Sequence, residues 1–324
     1  MQTGKRILII DQLNLFFRNY IVNPSLSMDG APIGALRGCF QSLQKVIRES
    51  KPDMIIVCWD GEGGSAKRKL LKKDYKSGRK PIRLNRSIRN LSEEEEKENN
   101  LWQQARLVDY FNQTPIVQFM FKGTEADDII AYICRHKLFI DCEKIILSSD
   151  KDFFQLLDEK TVLYRPVQKQ IVNQKSLIKQ FNIHPVNFAM ARAFAGDKSD
   201  NIEGLGGIGL KTAARRFPFL KEEKFVTFDK ILNYCQKMMA ETNIKTYNNV
   251  IEKKSLLMRN YHMMQLYAPF LGIDEKKVIN ETLQNPDNSF NKTELIKMMM
   301  VDGFGEINFI ELFQHFRKMS LDNT

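Results

Sequence analysis

The chain has 324 residues, of which 43% are hydrophobic, so it can bury a full globular core. Its formal charge of +10 favours an anionic partner such as nucleic acid. No apolar stretch approaches membrane length, and the N-terminal residues turn acidic too early for a signal peptide. The five cysteines form no CxxC pair. We therefore expect a cytoplasmic, reducing setting, no membrane association and a monomeric chain.

The hydrophobic pattern alternates between strand and helix through the first half of the chain. Strands are predicted at residues 5–11, 53–60, 115–120, 143–149 and 161–165, and helices at 33–49, at 99–113 and from Glu125 to His136. This alternation predicts an α/β fold with a mainly parallel central sheet flanked by helices. After about residue 175 the strand signals disappear, and apolar residues recur at helical spacing. We therefore divide the chain into an α/β core at 1–175 and a helical region at 176–324.

Nine acidic residues are candidate metal ligands. They are Asp11, Asp60, Glu125, Asp127, Asp128, Asp150, Asp152, Asp197 and Asp200. Asp11, Asp60 and Asp150 each end an apolar run, so three predicted strands deliver carboxylates to one edge of the sheet, where ligands of open α/β sheets bind. Converging carboxylates raise one another's pKa values unless hard cations lie among them, and ligand sets made only of oxygen suit Mg²⁺ or Mn²⁺. The pattern predicts a metal-dependent enzyme.

Two short motifs supply other members of this group. In GTEADDIIAYI the acids fall in the first turn of a predicted helix, and in SSDKDFFQLL Asp152 follows Asp150 by two residues. Ordinary helix capping explains either motif alone, because the helix dipole favours acid at an N-terminus. Several acids at strand ends, taken together, favour a ligand site over a role in solubility.

The positive charge is concentrated in a basic segment from Ala66 to Asn90. This segment contains eleven Lys or Arg residues and one acid, Asp74, so it carries a net charge of +10 and the rest of the chain sums to zero. It lies in an irregular insertion at about 61–98, and an insertion of this length is usually functional or disordered. A solvated face is the ordinary interpretation of a charge run. The alternative is a surface that meets a polyanion first.

A glycine-rich motif occupies residues 196–217, GDKSDNIEGLGGIGLKTAARRF. Its glycines at 204, 206, 207 and 209 permit a tight hairpin between helices, whose backbone N–H groups could approach a phosphate. Glycine hairpins also occur as plain turns. The basic residues that follow favour a contact with the DNA backbone, which would be indifferent to sequence.

The ordered motifs IID, CWDG, EADDIIA, SSDKDFFQLL and GDKSDNIEGLGGIGLKTA resemble the 5′ nuclease superfamily over roughly residues 5–220. That superfamily contains flap endonucleases, the 5′-nuclease domain of bacterial DNA polymerase I and phage 5′-to-3′ exonucleases. The free-standing length and the helical C-terminal third are most similar to the phage ribonuclease H type. The resemblance implies a PIN-like nuclease core with a basic arch insertion and a helix-hairpin-helix element at about 185–220.

The resemblance also implies roles for individual residues. Asp11, Asp60, Glu125 and Asp127 would lie nearer one of two Mg²⁺ ions, for which Mn²⁺ could substitute. Asp150, Asp152, Asp197 and Asp200 would lie nearer the other, and Asp128 would act through water. The hairpin would hold a monovalent cation such as K⁺. Tyr75, Lys76 and Arg79 match the Tyr-Lys-x-x-Arg element that reaches the scissile phosphate.

The remaining candidates are nucleic-acid contacts. They are Lys67, Arg68, Lys72 and Lys73 in the basic segment, and Gly204, Gly206, Gly207, Gly209, Lys211, Thr212 and Arg215 in and after the hairpin.

The function implied is a metal-dependent 5′-to-3′ exonuclease and flap endonuclease, acting near 5′ ends of DNA flaps, nicks and RNA·DNA hybrids. The phage likeness suggests removal of RNA primers and adjacent DNA in lagging-strand replication, with single-stranded-DNA-binding protein and polymerase as further partners. Two alternatives remain open, a PIN-type ribonuclease acting on single strands and a catalytically silent DNA-structure-binding protein.

Overall fold

A computed structural model describes residues 4–88 and 91–321, so Arg89 and Asn90 of the basic segment lie outside the described residues. Six strands form one sheet: β1 (Arg6–Asp11), β2 (Met54–Trp59), β3 (Val117–Met120), β4 (Glu143–Leu147), β5 (Thr161–Arg165) and β6 (Gln170–Val172). Their order is β3-β2-β1-β4-β5-β6, with only β6 antiparallel to its neighbour. The predicted α/β class with a mainly parallel sheet is confirmed.

The strand order places a topological switch between β1 and β4. From β1 the chain builds outward through β2 and β3, then returns to the other side of β1 with β4 and β5. In the register, Asp11 pairs with Cys58 of β2, and Ile10 pairs with Leu147 of β4. The carboxyl ends of these three strands therefore meet, and open α/β sheets bind ligands at such a point.

Helices cover the sheet and are joined by turns and loops. They are α1 (Gln12–Val22), α2 (Gly34–Ser50), α3 (Ala66–Leu71), α4 (Glu93–Phe111), α5 (Ala126–Cys134), α6 (Gln174–Phe181), α7 (Phe188–Ala195), α8 (Leu210–Arg216), α9 (Phe228–Glu241), α10 (Lys245–Glu252), α11 (Lys254–Met264), α12 (Ile273–Gln284), α13 (Lys292–Val301) and α14 (Ile310–Leu321). None of these helices is long and apolar enough to cross a bilayer.

One helix was not predicted, and another begins earlier than predicted. Helix α1 was not predicted; it begins directly after β1, where the Asp11 carboxylate accepts from the Asn14 N–H and serves as its N-cap. Helix α4 begins at Glu93 rather than near residue 99, because Ser92 and Glu95 form a capping box. The acidic run therefore lies in a helical first turn, where the dipole favours it.

The helical region does not form a core of its own. On one face of the sheet, Ile7, Ile9 and Ile56 pack with residues from α5 through α12. On the other face, Leu8, Ile10 and Val57 pack with α2, α4 and the C-terminal helices α13 and α14. Successive strand residues point to opposite faces of the sheet, so each face has its own core. Both cores contain residues from before and after position 175. The predicted division at 175 therefore does not separate two hydrophobic cores.

Removing one aromatic ring from α14 tests this shared core. Phe316 is fully buried and makes an edge contact with Phe290 at 5.5 Å. We expect Phe316→Ala to lower the free energy of unfolding by about 3–5 kcal/mol, because the lost ring leaves a cavity. Chemical denaturation followed by circular dichroism measures this. Met300, at 65% exposure, is the control, and Met300→Ala should stay within about 0.5 kcal/mol of wild type. Equal, small effects would show that α14 is peripheral.

Candidate active site at the carboxyl edge of the sheet

Three strand ends bring carboxylates together at the switch point. Asp11 ends β1, and its Oδ2 accepts from the Ser148 hydroxyl at 2.8 Å. Asp60 follows β2 and accepts from the Ala126 N–H at 2.7 Å, which ties this loop to the start of α5. Asp150 follows β4; its N–H donates to Ser148 Oγ at 3.0 Å. Their placement agrees with the edge predicted from the apolar runs.

The start of α5 adds Glu125 and Asp127 to this edge. Glu125 is the N-cap residue and is 3% exposed, while Asp127 is in the first turn. Both oxygens of Glu125 are taken by cations, Oε1 by Lys76 and Oε2 by Arg68. A buried carboxylate requires this compensation, because isolated charge is costly in low dielectric.

A second pair of acids is held by an arginine that the sequence did not single out. Arg192 of α7 donates from Nε to Asp152 at 2.9 Å and from Nη2 to Asp197. Asp152 also donates its N–H to Asp150 Oδ1 at 2.8 Å. The only signal in the sequence was a lone arginine in the apolar helix FAMARAFA, four residues before Gly196.

Burial and mutual repulsion raise the pKa values of several of these acids. Burial, then the charges of Asp60 and Asp150, raise the pKa of Asp11 to about 7. Burial and Asp150 likewise raise the pKa of Asp152 to about 7, against the opposing charge of Arg192. Burial, Asp150 and Asp11 raise the pKa of Asp127 well above its usual value. Burial also opposes ionisation of Glu125, but Arg68 and Lys76 hold its pKa below the usual value.

These features fit a site for hard divalent cations. The donors are carboxylate oxygens. The pKa values of Asp11, Asp127 and Asp152 are raised first by burial and then by neighbouring acids, and the charge of a divalent cation would compensate both effects. Across residues 4–88 and 91–321, no three His, Cys, Asp or Glu side chains are grouped closely enough to hold an ion as they stand. Several of the oxygens are instead in ion pairs with Lys76, Arg68, Arg79 and Arg192. The division of the acids between two ions stays a prediction.

The Tyr-Lys-x-x-Arg element lies against this edge. Besides Lys76 on Glu125, the Tyr75 hydroxyl donates to Asp200 Oδ2 at 3.2 Å and Arg79 Nε donates to Asp200 Oδ1 at 3.2 Å. The ring of Tyr75 is 4% exposed and packs with Ile202, Met263 and Met264. The structure therefore brings all three predicted arch residues to the carboxylates.

Arg68 and Asp128 have a different environment from the one predicted. Their side chains are 4% and 1% exposed and form a bidentate ion pair, with Nη1 to Oδ2 at 2.8 Å and Nη2 to Oδ1 at 3.3 Å. Asp128 Oδ1 also accepts from the Phe270 N–H at 2.9 Å. The prediction that Arg68 attracts phosphate is therefore wrong for this structure, because its guanidinium is enclosed. Asp128 has protein partners on both oxygens and joins α3, α5 and the 270 loop.

The other basic candidates differ in accessibility. Lys73 is exposed. Lys72 makes an ion pair with Asp74. Lys67 donates to the Phe270 carbonyl at 2.6 Å and lies 3.8 Å from Glu275. Among the four, Lys73 is the one best placed for general phosphate attraction.

The glycine motif forms the connection between α7 and α8. Gly204 is required by packing, since an added Cβ would lie 2.2 Å from the Ala195 carbonyl oxygen. Gly207 has φ +77°, a conformation that favours glycine. Gly206 and Gly209 face open space, and Lys211 and Arg215 on α8 are exposed, with Thr212 partly so. Gly206, Gly207 and Gly209 therefore form the open side of the turn, whereas Gly204 packs against the end of α7.

Comparison with known proteins identifies the family. The sequence profile described as 5′-3′ exonuclease, N-terminal resolvase-like domain, matches residues 6–182. The 5′-3′ exonuclease of Mycoplasmopsis pulmonis is 31% identical over 310 residues, covering 93% of this chain and 97% of that protein. The 5′-3′ exonuclease of Aquifex aeolicus is 26% identical, covering 94% and 96%. The chain belongs to the 5′-3′ exonuclease family within the 5′ nuclease superfamily.

Solved structures agree with this assignment at the level of fold. The D15 flap endonuclease of bacteriophage T5, solved as a complex with DNA and metal ions, superposes with a TM-score of 0.65 at 18% identity, over 98% of this chain and all of that one. Human GEN1 in complex with Holliday junction DNA gives a TM-score of 0.54 at 16% identity, over 98% of this chain and 72% of GEN1. DNA polymerase I of Thermus filiformis is 31% identical, but the chain spans only 23% of its length.

The raised pKa of Asp11 gives a prediction about pH and metal. With a folded-state pKa of about 7 and an ordinary value of 3.8, Asp11 binds more protons when folded, so its ionisation destabilises the metal-free protein as pH rises from about 4 to 7. The stability of Asp11→Asn relative to wild type should therefore rise by about 2–3 kcal/mol between pH 5 and pH 8, which makes the variant the more stable protein at pH 8. Thermal unfolding in chelator measures this, and histidine contributions cancel between the two proteins.

Divalent metal should reverse that order. Mg²⁺ should raise the Tm of wild type more than that of Asp11→Asn at pH 8, because binding to the folded state stabilises it. A variant that is equally stable at both pH values, with an unchanged Mg²⁺ response, would contradict the assigned environment of Asp11.

A second prediction separates Asp128 from the metal-facing acids. Asp128→Asn keeps Oδ1, which accepts from Arg68 Nη2 and from the Phe270 N–H, so we expect the Mg²⁺ concentration that half-saturates the Tm shift to change by less than about threefold. Asp150→Asn is the matched comparison and should weaken the Mg²⁺ response at least about tenfold. Arg68→Ala should destabilise the protein by about 3–5 kcal/mol, since it leaves two buried carboxylates without their cation. A tenfold weaker Mg²⁺ response in Asp128→Asn would restore Asp128 as a ligand.

Proposed function

We propose that this protein is a structure-specific, divalent-metal-dependent 5′ nuclease. It would hydrolyse phosphodiester bonds near the 5′ ends of DNA flaps, nicked duplexes and RNA·DNA hybrids. The observation that carries the proposal is the meeting of Tyr75, Lys76 and Arg79 with Glu125 and Asp200 at the sheet edge. Cations from a basic insertion and clustered carboxylates are the two components that phosphoryl transfer requires.

The carboxylates would hold two Mg²⁺ ions, with Mn²⁺ as a substitute. When bound, a pair of divalent ions lowers the pKa of water and stabilises the attacking and leaving oxygens of an in-line displacement. Asp11, Asp60, Glu125 and Asp127 would be ligands on one side, and Asp150, Asp152, Asp197 and Asp200 on the other. This division rests on the family resemblance alone.

Lys76 and Arg79 would exchange their carboxylate partners for a phosphate. Both now neutralise acids, Lys76 on Glu125 and Arg79 on Asp200. A scissile phosphate placed at this edge would offer them a new anion while divalent ions take over the carboxylates. Each would then stabilise the negative charge that develops on the phosphoryl oxygens.

The connection from α7 to α8 would hold the duplex. Its open glycines, with Lys211, Thr212 and Arg215, would contact phosphates as a helix-hairpin-helix element, with K⁺ bound by the backbone of the turn. Lys73 would add to the phosphate attraction. The cellular role would be removal of RNA primers and adjacent DNA on the lagging strand, alongside single-stranded-DNA-binding protein and polymerase. The two full-length relatives are bacterial, so this role does not require a phage source.

The decisive experiment compares four 5′-labelled substrates with and without Mg²⁺: a 5′ flap, a nicked duplex, an RNA·DNA hybrid and a single-stranded RNA. We expect Mg²⁺-dependent cleavage one or a few nucleotides into the duplex, with affinity that falls steeply as salt rises. Cleavage of single-stranded RNA alone would establish the PIN-type alternative. Flap binding without cleavage in any divalent metal would establish a silent DNA-structure-binding protein.

Asp150→Asn controls for contaminating nuclease in the same assay. It should reduce cleavage at least about 100-fold while flap affinity, measured in Ca²⁺, stays within a few fold. Asp29 is an exposed aspartate outside the cluster, and Asp29→Asn should cleave like wild type.

A further inference from the structure

Besides Asp200, whose carboxylate accepts from Tyr75 and Arg79, a second side chain attaches the arch to the loop before the glycine turn, that of Asn201. Its amide Nδ2 lies 2.7 Å from Asp74 Oδ2, 3.1 Å from the Asp74 carbonyl oxygen and 3.4 Å from Ser77 Oγ. One backbone bond runs beside it, from the Lys76 N–H to the Asp200 carbonyl at 3.0 Å. Asn201 therefore contacts the chain on both sides of Lys76.

The backbone at Lys76 needs such support. Lys76 has φ +60°, the left-handed region in which a residue with a Cβ is disfavoured by about 1–2 kcal/mol. In an isolated chain, residues 74–77 would favour other conformations, and the Lys76 side chain would then leave Glu125. Restraints from Asn201 on Asp74 and Ser77 hold the turn in the form that directs Lys76 to the carboxylates.

Asn201 also suits its own backbone. It has φ +57°, and asparagine is the non-glycine residue that tolerates this region best while retaining a donor group. Glycine would satisfy the backbone equally well but would provide no amide. The backbone conformation therefore accounts for either Asn or Gly at position 201. Only the contacts of the amide group account for Asn.

We propose that Asn201 is a positioning residue that sets Lys76 and Tyr75 against the carboxylate cluster by fixing the Asp74–Ser77 turn. Asn201 touches neither substrate nor metal in this role. Because it belongs to the loop that leads into the glycine turn, it also joins the part of the protein proposed to grip duplex to the part proposed to act on phosphate. The inference rests on the proposed function for its catalytic consequence, and on the geometry alone for the order of the arch.

Substitutions can remove the amide without straining the backbone. Asn201→Gly keeps the positive φ and deletes the donor. Asn182, at the end of α6, also has a positive φ, +55°, and its side chain is exposed. It is distant in sequence from the arch, so Asn182→Gly is the matched control. The exchange Asp74→Asn with Asn201→Asp restores only the amide-to-carboxylate contact, with reversed direction, and tests whether that contact is sufficient for rescue.

The first measurement needs no metal and no DNA. The arch start is rich in Lys and Arg, so limited trypsin digestion reports its order. We expect Asn201→Gly to be cut within residues 66–88 at least about threefold faster than wild type, and Asn182→Gly to match wild type. Asn201→Asp alone should be cut as fast as Asn201→Gly, and the exchanged pair should return toward wild type.

The second measurement is single-turnover cleavage of the 5′ flap in Mg²⁺, with affinity determined in Ca²⁺. Asn201→Gly should react about tenfold more slowly while its Kd changes less than about threefold, and the exchanged pair should recover most of the rate. A parallel loss of affinity and rate with unchanged digestion would mean that Asn201 contacts DNA, which overturns the inference. Wild-type digestion and rate in Asn201→Gly would overturn it as well.

The two measurements also separate this inference from the proposed function. If wild type cleaves none of the substrates, the proposed function fails, and the digestion comparison still decides whether Asn201 orders the arch. If wild type cleaves and Asn201→Gly is indistinguishable from it in both assays, only the role of Asn201 fails.

Discussion

Repulsion among carboxylates at the switch point is the constraint on which the rest of the site depends. Asp11, Asp127 and Asp152 have raised pKa values, chiefly from burial and also from neighbouring acids. A fold that gathers these groups must supply positive charge or lose stability. Four cations meet this need, and they come from three places: Arg68 from α3, Lys76 and Arg79 from the arch, and Arg192 from α7.

These cations fall into two groups with different consequences for chemistry. Arg68 is enclosed and also held by Asp128 and the Met263 carbonyl, so its charge is permanent and serves the folded state. Lys76 and Arg79 are more accessible, with side chains 19% and 52% exposed, and can exchange partners. In the proposed function, a substrate phosphate and divalent ions would therefore replace the ion pairs of Lys76 and Arg79, while Arg68 would stay paired with Asp128. The sheet, covered on both faces, keeps the strand ends in place during such an exchange.

The sequence allowed prediction of those features that depend on local pattern. Strand ends and their acids were predictable, since an apolar run followed by Asp carries the signal within a few residues. Asp128 and Arg68 were misplaced because the ion pair that joins them spans 60 positions, and neither local motif encodes a partner at that distance. Arg192 was missed because it is a single arginine in an apolar helix, and the sequence around it does not show that it pairs with Asp197 and Asp152. Helix α1 was missed because Asp11 has two roles, ending β1 and capping the next helix.

The basic segment shows why net charge alone gives an incomplete account. Its eleven Lys and Arg residues suggested a surface for a polyanion, yet Arg68, Lys72, Lys76, Arg79 and Arg83 all make ion pairs with acids of the protein itself. Part of the net charge of +10 in this segment therefore balances acidic side chains of the protein itself, including Glu93 and Glu96 at the start of α4. Charge that is paired internally contributes little to long-range attraction, since the field of an ion pair falls off faster than that of a single charge. If divalent ions occupied the cluster, Lys76 and Arg79 would regain their attraction for phosphate, whereas Arg68 would stay enclosed. Metal binding would then raise the positive potential of the arch, so substrate affinity and metal occupancy would be coupled through these shared carboxylates.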